Sequence, residues 1–339
     1  MRKPALIDAN HYAIHSYFMS KASIKTRHGE RVRELKRQLQ RIDPDTQAEQ
    51  FEQALAKIHD PALKNDLMID GFKATFHSRL IDYVVTNNFD GVIFAREPDT
   101  QSWRKEIYAE YKGKRNKADL FDGEEQAERF FETLDQELDM LSTFVPSIWC
   151  PQVPYAEGDD IIATFVKWAH KHRPSMNIEI SSRDRDYIQL YKYGNAKLYD
   201  PQERKIIECS DIELQLQTKI LCGDTSDNIK SVRRGYGEVK AMAFYKQGKL
   251  DEFLSVGDAR EKYNLNRQLI DMDLIPSRIT DPILELVDKR ATTDQFSIPN
   301  TRALHNYYVK NGLFSPTDMK FQRWYEILKS PKFGVFTGN

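Results

Sequence analysis

The apolar positions fall into short buried runs separated by stretches with helical spacing. Residues 4–9, through Ala5, Leu6 and Ile7, read as a strand that closes on Asp8. From 29 to 42, Val32, Leu35, Leu39 and Ile42 recur at helical spacing, with Arg31, Arg33, Lys36, Arg37 and Arg41 on the other faces. Asp43-Pro44-Asp45 breaks that helix, and Phe51, Leu55 and Ile58 mark a second one. Residues 20–67 therefore read as a helical hairpin inserted after the first strand. A helix near 72–87 leads to a strand at 91–96, and Phe130, Phe131, Leu134, Leu138 and Leu141 mark a helix over 124–144. A short strand near 147–150 precedes a helix carrying Ile161, Ile162, Phe165, Val166 and Ala169, and a strand at 177–182 follows. Beyond it the pattern is mostly helical. Strands alternating with helices predict an α/β fold, a central and largely parallel sheet flanked by helices, followed by a helical region. The division expected is 1–205 and 206–339.

Composition adds bounds. The 339 residues suffice for one large core or two modest domains. No apolar stretch approaches the ~20 residues of a membrane span, and the N-terminus meets Asp8 too soon for a signal peptide. Cys150, Cys209 and Cys222 lack metal-like spacing. A reduced, cytoplasmic setting (the host cytoplasm for a phage protein), no membrane and a monomer are the expectations.

Nine carboxylates change the picture: Asp8, Glu97, Glu157, Asp159, Asp160, Asp184, Asp186, Asp224 and Asp227. Most follow the end of an apolar run, and in a parallel sheet the crevice beyond the strands' carboxyl ends is the usual site. Bare carboxylates that close repel and take up protons unless hard cations sit among them. Oxygen-only ligands favour Mg²⁺ or Mn²⁺ over zinc. A two-metal site needs such groups from several elements, its ions ~3.5–4 Å apart across a phosphodiester. Helix capping explains one or two acids of Glu157-Gly158-Asp159-Asp160, but not three. The formal charge is −1, and setting the nine aside leaves the rest of the chain at +8, a body suited to a polyanion.

Two basic elements accompany the acids. Trp103 to Arg115 follows the second strand and interleaves aromatics with Arg104, Lys112, Lys114 and Arg115, as suits phosphate pairing and base stacking, with Tyr111 among the aromatics. A solvated amphipathic helix is the bland alternative. Gly235-Tyr236-Gly237-Glu238-Val239-Lys240-Ala241 is a glycine turn opening a helix, whose N–H groups bind phosphate without reading bases.

Together these motifs resemble the 5′ nuclease family: flap endonucleases, the 5′ nuclease domain of bacterial DNA polymerase I, and phage-type RNase H. They run from Leu6-Ile7-Asp8 through Tyr111 to Arg115, Tyr155 to Asp160, Ser181 to Asp186 and Gly223 to Ile229, to Gly235–Ala241, with Leu304 to Leu313 most like the phage-type enzymes. The resemblance implies a PIN-like core, an arch-like segment at 100–123 and a duplex-binding helix–three-turn–helix at 219–246. It implies one Mg²⁺ near Asp8, Glu97 and Asp159, with Glu157 close by. A second would lie near Asp159, Asp184, Asp186 and Asp227, with Asp160 and Asp224 in outer roles; Mn²⁺ would substitute. Lys112 and Arg115 match the arch residues that steady the scissile phosphate. Arg104, Tyr111, Lys114, Arg233, Arg234, Gly235, Gly237 and Lys240 become DNA contacts, with K⁺ expected in the turn. The implied activity is 5′→3′ exonuclease and flap cleavage of RNA or DNA in duplex, removing lagging-strand primers. A replication clamp or single-strand-binding protein is the expected partner.

Three departures stand out. The second strand of the family ends in Asp, whereas this chain has Arg96-Glu97-Pro98-Asp99, leaving Glu97 and Asp99 as alternatives. Arg183 is an extra residue ahead of Asp184. The stretch 229–235 is one residue longer than the usual turn and lacks its Pro and Gly. A non-catalytic binder of branched DNA, and a PIN-like ribonuclease for single strands, are the competing readings.

Overall fold

The structure, a computed structural model, describes residues 3–44, 46–59, 61–114, 117–292, 299–314 and 318–329. β1 (Pro4–Asp8) runs straight into α1 (Ala9–Leu39), because the Asp8 carboxylate caps the helix by accepting from the His11 amide at 2.9 Å. α2 (Ala48–His59) and α3 (Pro61–Asn87) bring the chain back to β2 (Gly91–Ala95). α4 (Arg104–Ile107) and α5 (Glu124–Phe144) precede β3 (Ile148–Trp149). α6 (Gly158–His172) leads to β4 (Ile178–Ser181), and a 3₁₀ stretch at Arg185–Tyr193 leads to β5 (Ala196–Asp200) and β6 (Lys205–Ile206). Seven helices complete the described chain: α7 (Ile212–Cys222), α8 (Glu238–Lys246), α9 (Leu250–Leu254), α10 (Ala259–Ile270), α11 (Ser277–Thr292), α12 (Thr301–Lys310) and α13 (Met319–Lys329).

The sheet order is β3-β2-β1-β4-β5-β6, parallel throughout except for the antiparallel β6. The α/β expectation holds, with two differences. The first helix runs unbroken over 31 residues, where a hairpin starting at 20 was expected. Nothing in 9–39 forces a break, since Gly29 alone costs a helix only about 1 kcal/mol. The pattern beyond 182 is mostly helical and predicts neither β5 nor β6. Ala196, Leu198 and Asp200 are buried while Lys197 is exposed, a period-two alternation too short to outweigh the surrounding helical pattern.

Two apolar layers sandwich the sheet. Tyr12, Phe72, Phe76, Phe94 and Phe130 fill one, and Leu304, Tyr308, Phe321 and Trp324 from α12 and α13 return to cover it. Leu6, Ile93, Phe165, Ile180 and Ile283 fill the other, beneath α6 and α11. Smaller clusters hold α7 to α10 together. Among the described residues no helix is long and apolar enough to cross a membrane.

One polar knot lies inside the first layer. Glu137 on α5 is fully buried; it lies 2.7 Å from His77 Nε2 and 3.2 Å from Lys73 Nζ, and it accepts from the Tyr307 hydroxyl. Tyr308 adds a contact to His77 Nδ1 at 3.3 Å. Burial works to raise the Glu137 carboxyl, but His77, Tyr307 and Lys73 outweigh it and hold it below the ordinary value. Since the folded value is the lower one, this stabilisation is complete above about pH 4.3 and is lost as pH falls through the folded value. Glu137→Ala is expected to cost about 3–5 kcal/mol in urea unfolding at neutral pH. The gap to wild type should narrow on acidification; a gap independent of pH would assign the loss to packing alone.

Candidate active site

β1 lies between β2 and β4, so the carboxyl ends of three parallel strands meet at one edge. Asp8 ends β1 in register with Ala95, two residues before Glu97, and Ile7 pairs with Ser181, three before Asp184. Gly158 opens α6 against the end of β2, where an added Cβ would stand 3.3 Å from the Ala95 carbonyl oxygen. That close approach delivers Glu157 and Asp159 to the same edge. Glu157 is the N-cap of α6 and forms a capping box with Asp160.

Five acids feel one another there. Burial first, then Asp159, Glu97 and more weakly Asp184, push Asp8 up to about 8. Burial, Asp186 and Asp159 push Asp184 up to about 7. Burial also raises Asp186, with Lys219 opposing and Asp159 and Asp224 adding to the rise. Tyr187 donates to Asp159. Carboxylates so crowded hold protons or require cations. They are grouped but not closed: among the described residues no three His, Cys, Asp or Glu side chains stand assembled to hold an ion. The donor set, all oxygen and mutually repelling, still fits hard divalent cations.

The remaining acids carry cations of the protein's own. Arg104 donates to Glu157 at 2.7 Å and to both oxygens of Asp160 at 2.8 and 3.1 Å, and Lys112 pairs with Glu157. Burial acts to raise Glu157, but Lys112 and Arg104 hold it at about 2. Lys219 spans Asp186 at 2.7 Å and Asp224 at 2.8 Å. It outweighs burial, with help from Ser226, and holds Asp224 at about 2. The Tyr111 hydroxyl lies 3.0 Å from Glu157 and 3.2 Å from Asp227, while the Lys112 amide donates to the Asp227 carbonyl at 2.9 Å. Those contacts clamp the 224–229 turn to α6. Lys219 and Tyr187 were not anticipated. The only hints were a lone cation in the otherwise uncharged run Leu214–Leu221 and a tyrosine directly after Asp186.

Several expected roles change. Arg104 is only 4% exposed, and besides the two carboxylates it donates to the Leu269 carbonyl at 3.0 Å, so it is an internal strut and no DNA contact. Tyr111 is buried among Ile220, Ile229 and Leu269 and cannot stack on a base. Asp160 has its oxygens spent on Arg104, Trp103 and the Glu157 amide, so it positions these groups and is no ligand. Asp99 is exposed and accepts from Gln152 at 3.0 Å, whereas Glu97 is close enough to raise Asp8. Lys114 is exposed; Arg115 lies outside the described residues. Arg233 is half-buried over the rings of Tyr236 and Phe253 at 4.7 and 4.8 Å. Arg234, Gly235, Gly237 and Lys240 are exposed around the start of α8.

Comparison with known proteins bears on this geometry. Residues 70–217 match the family model of the 5′-3′ exonuclease N-terminal resolvase-like domain. Ribonuclease H of Enterobacteria phage T4 is 31% identical over 242 residues, 64% of this chain and 73% of that protein. A 5′-3′ exonuclease of Mycoplasmopsis pulmonis is 25% identical over 207 residues, 58% of this chain and 64% of that protein. The D15 protein of T5, crystallised with metal ions, superposes with a TM-score of 0.54 at 16% identity, over 85% of this chain and 99% of that one. That last likeness is one of fold.

Two outcomes follow from the site. Gly223 has φ +70°, and a Cβ there would stand 2.4 Å from the Ile229 carbonyl oxygen, so Gly223→Ala should cost at least about 1–2 kcal/mol in urea unfolding. Equal stability would show that the turn relaxes. For Asp8 and Asp184 the folded values lie above the ordinary one. Their contribution is therefore complete below about pH 4 and is lost as pH rises through 7 to 8. In chelator the melting temperature should fall over that range, and Asp8→Asn should flatten the fall. A level wild-type profile refutes the crowding.

Proposed function

Because this chain belongs to the 5′–3′ exonuclease family, we propose that it is a divalent-metal-dependent nuclease acting at the 5′ ends and flaps of RNA or DNA in duplex. The observation that carries the metal is the convergence of Asp8, Glu97, Asp159, Asp184 and Asp186 on the carboxyl edge of β1, where burial and then one another's charge raise Asp8 and Asp184. Asp8, Glu97 and Asp159, with Glu157 close by, would hold one Mg²⁺. Asp159, Asp184, Asp186 and Asp227 would hold the other, with Asp224 outside it. Such ions lower the pKa of a water and stabilise a leaving oxygen.

The chain's own groups do the rest. Burial disfavours the Lys112 charge, yet Glu157, Glu97 and Asp159 hold its pKa well above the ordinary lysine value. It therefore stays cationic beside the cluster and can pair with the scissile phosphate. Arg104 and Tyr111 fix Glu157 from beneath. The exposed start of α8, with Arg234 and Lys240, suits duplex backbone, with K⁺ in the turn as a further expectation. Primer removal beside a clamp or single-strand-binding protein, in the cytoplasm, is the setting this activity fits. The position of Glu97 near Asp8 favours catalysis over a fold kept only for binding branched DNA.

The test is a 5′-labelled flap and an RNA–DNA hybrid incubated with Mg²⁺. Wild type should cleave, Asp159→Asn should lose more than about 100-fold, and Lys112→Ala about 10²–10³-fold in kcat. Mn²⁺ should also raise the melting temperature of wild type but hardly that of Asp159→Asn. Absence of metal-dependent cleavage on every 5′-ended substrate would end this reading.

A further inference from the structure

Arg183, the extra residue ahead of Asp184, has no part in the chemistry above. Its neighbour Ser182 touches the first of three other nitrogen-bearing side chains. His11 and His15 lie one turn apart on the first turns of α1, and Ser182 Oγ approaches His11 Nδ1 to 3.3 Å. Arg79 reaches across from α3, donating to Ser16 Oγ at 2.5 Å and to the Tyr12 carbonyl at 3.3 Å, with its guanidinium 4.6 Å over the Tyr12 ring. The Arg183 side chain is 52% exposed, and its paired acid, Asp200, is 4.0 Å away. His15 Nδ1 is buried and makes no hydrogen bond among the described residues.

Both imidazoles feel both guanidiniums. Burial lowers His11 most, then Arg183 and Arg79, against weaker pulls from Asp159 and Asp200. Burial also lowers His15 most, then Arg79, His11 and Arg183, with Asp200 opposing. Two guanidiniums and two imidazoles gathered this way present donors to an anion. The Arg79 contacts to Ser16 and Tyr12 account for its place in the packing, but not for the exposed Arg183 or the unbonded His15. His11 is the third residue after Asp8, whose carboxylate already accepts the His11 amide. The group reaches the strand ends from the α1–α3 layer, whereas Lys112, through Glu157, comes from the α6 layer.

We propose that His11, His15, Arg79 and Arg183 form a phosphate subsite for the nucleic-acid strand that is cut, holding a phosphate beside the scissile one. The two guanidiniums supply charge and paired donors. The imidazoles supply further N–H donors. The subsite rests on the nuclease reading for the identity of its ligand. A 5′-terminal phosphate and an internal phosphodiester offer the same chemistry, and the test separates them.

The experiment measures affinity of the full chain for a 5′-flapped DNA duplex, bearing a 5′-phosphate or a 5′-hydroxyl, by fluorescence anisotropy in chelator at pH 8 over a salt series. Arg183→Ala and Arg79→Ala should each weaken binding several-fold and reduce the salt slope by about one. His15→Ala should weaken binding without changing the slope. A loss seen on both duplexes assigns an internal phosphate; a loss confined to the phosphorylated one assigns the terminus. Arg183 is on the surface, so Arg183→Ala should stay folded by melting temperature, and an unchanged affinity and slope in it overturn the subsite. So does an equal loss of slope in Lys171→Ala, an exposed cation at the far end of α6. Wild-type cleavage with Mg²⁺, measured alongside, judges the nuclease reading separately: cleavage with unchanged slopes sinks the subsite alone.

Discussion

Repulsion among carboxylates at the carboxyl edge of β1 is the constraint on which the rest of this structure depends. Five acids drawn from β1, the segment after β2, α6 and the segment after β4 share one partly dry crevice, where a pair of like charges costs far more than in water. No choice of side-chain angle relieves this. What makes it tolerable is a frame that sets the acids down from several directions and meets the outer ones with fixed cations.

Arg104 is the centre of that frame. It is buried, it neutralises Glu157 and Asp160 together, and its remaining bond goes to the carbonyl of Leu269 on α10. One side chain thus ties the start of α6 to the C-terminal helices. A buried ion pair is poor evidence of net stability, since desolvation offsets most of the attraction. Its value here is geometric, since it holds Glu157 where Lys112 and Tyr111 also reach it. Lys219 does the same for Asp186 and Asp224 from α7. Gly223 serves this frame by letting backbone approach where a Cβ would collide, and Gly158 by allowing an approach that a Cβ would crowd.

The acidic groups were legible in sequence because most follow an apolar run, and period alone places such ends at one edge of a parallel sheet. Asp8, Asp159, Asp184 and Asp186 could be read that way. The partition of the acids could not. Whether a carboxylate is bare or paired depends on residues such as Arg104, Lys112 and Lys219, which reach it from elements that sequence spacing does not relate to it. For the same reason the basic run 103–115 misled at Arg104 and Tyr111. An aromatic–basic alternation fits nucleic acid on a surface, and it fits a buried strut equally well once an unpaired carboxylate waits below. β5 escaped notice because five alternating residues carry too little signal against a helical background.

The partition also orders the site chemically. Glu157 and Asp224 are held as anions by the protein's own cations, so their charge does not wait on any ligand. Asp8 and Asp184, raised into the neutral range, have no such partner strong enough to ionise them fully. A divalent cation entering the crevice would therefore displace protons from the second kind, because the first is already matched by lysine and arginine. Affinity should rise with pH through the range where Asp8 and Asp184 titrate, because binding releases their protons. The fixed pairs hold the frame; the crowded acids set the pH at which an ion can stay.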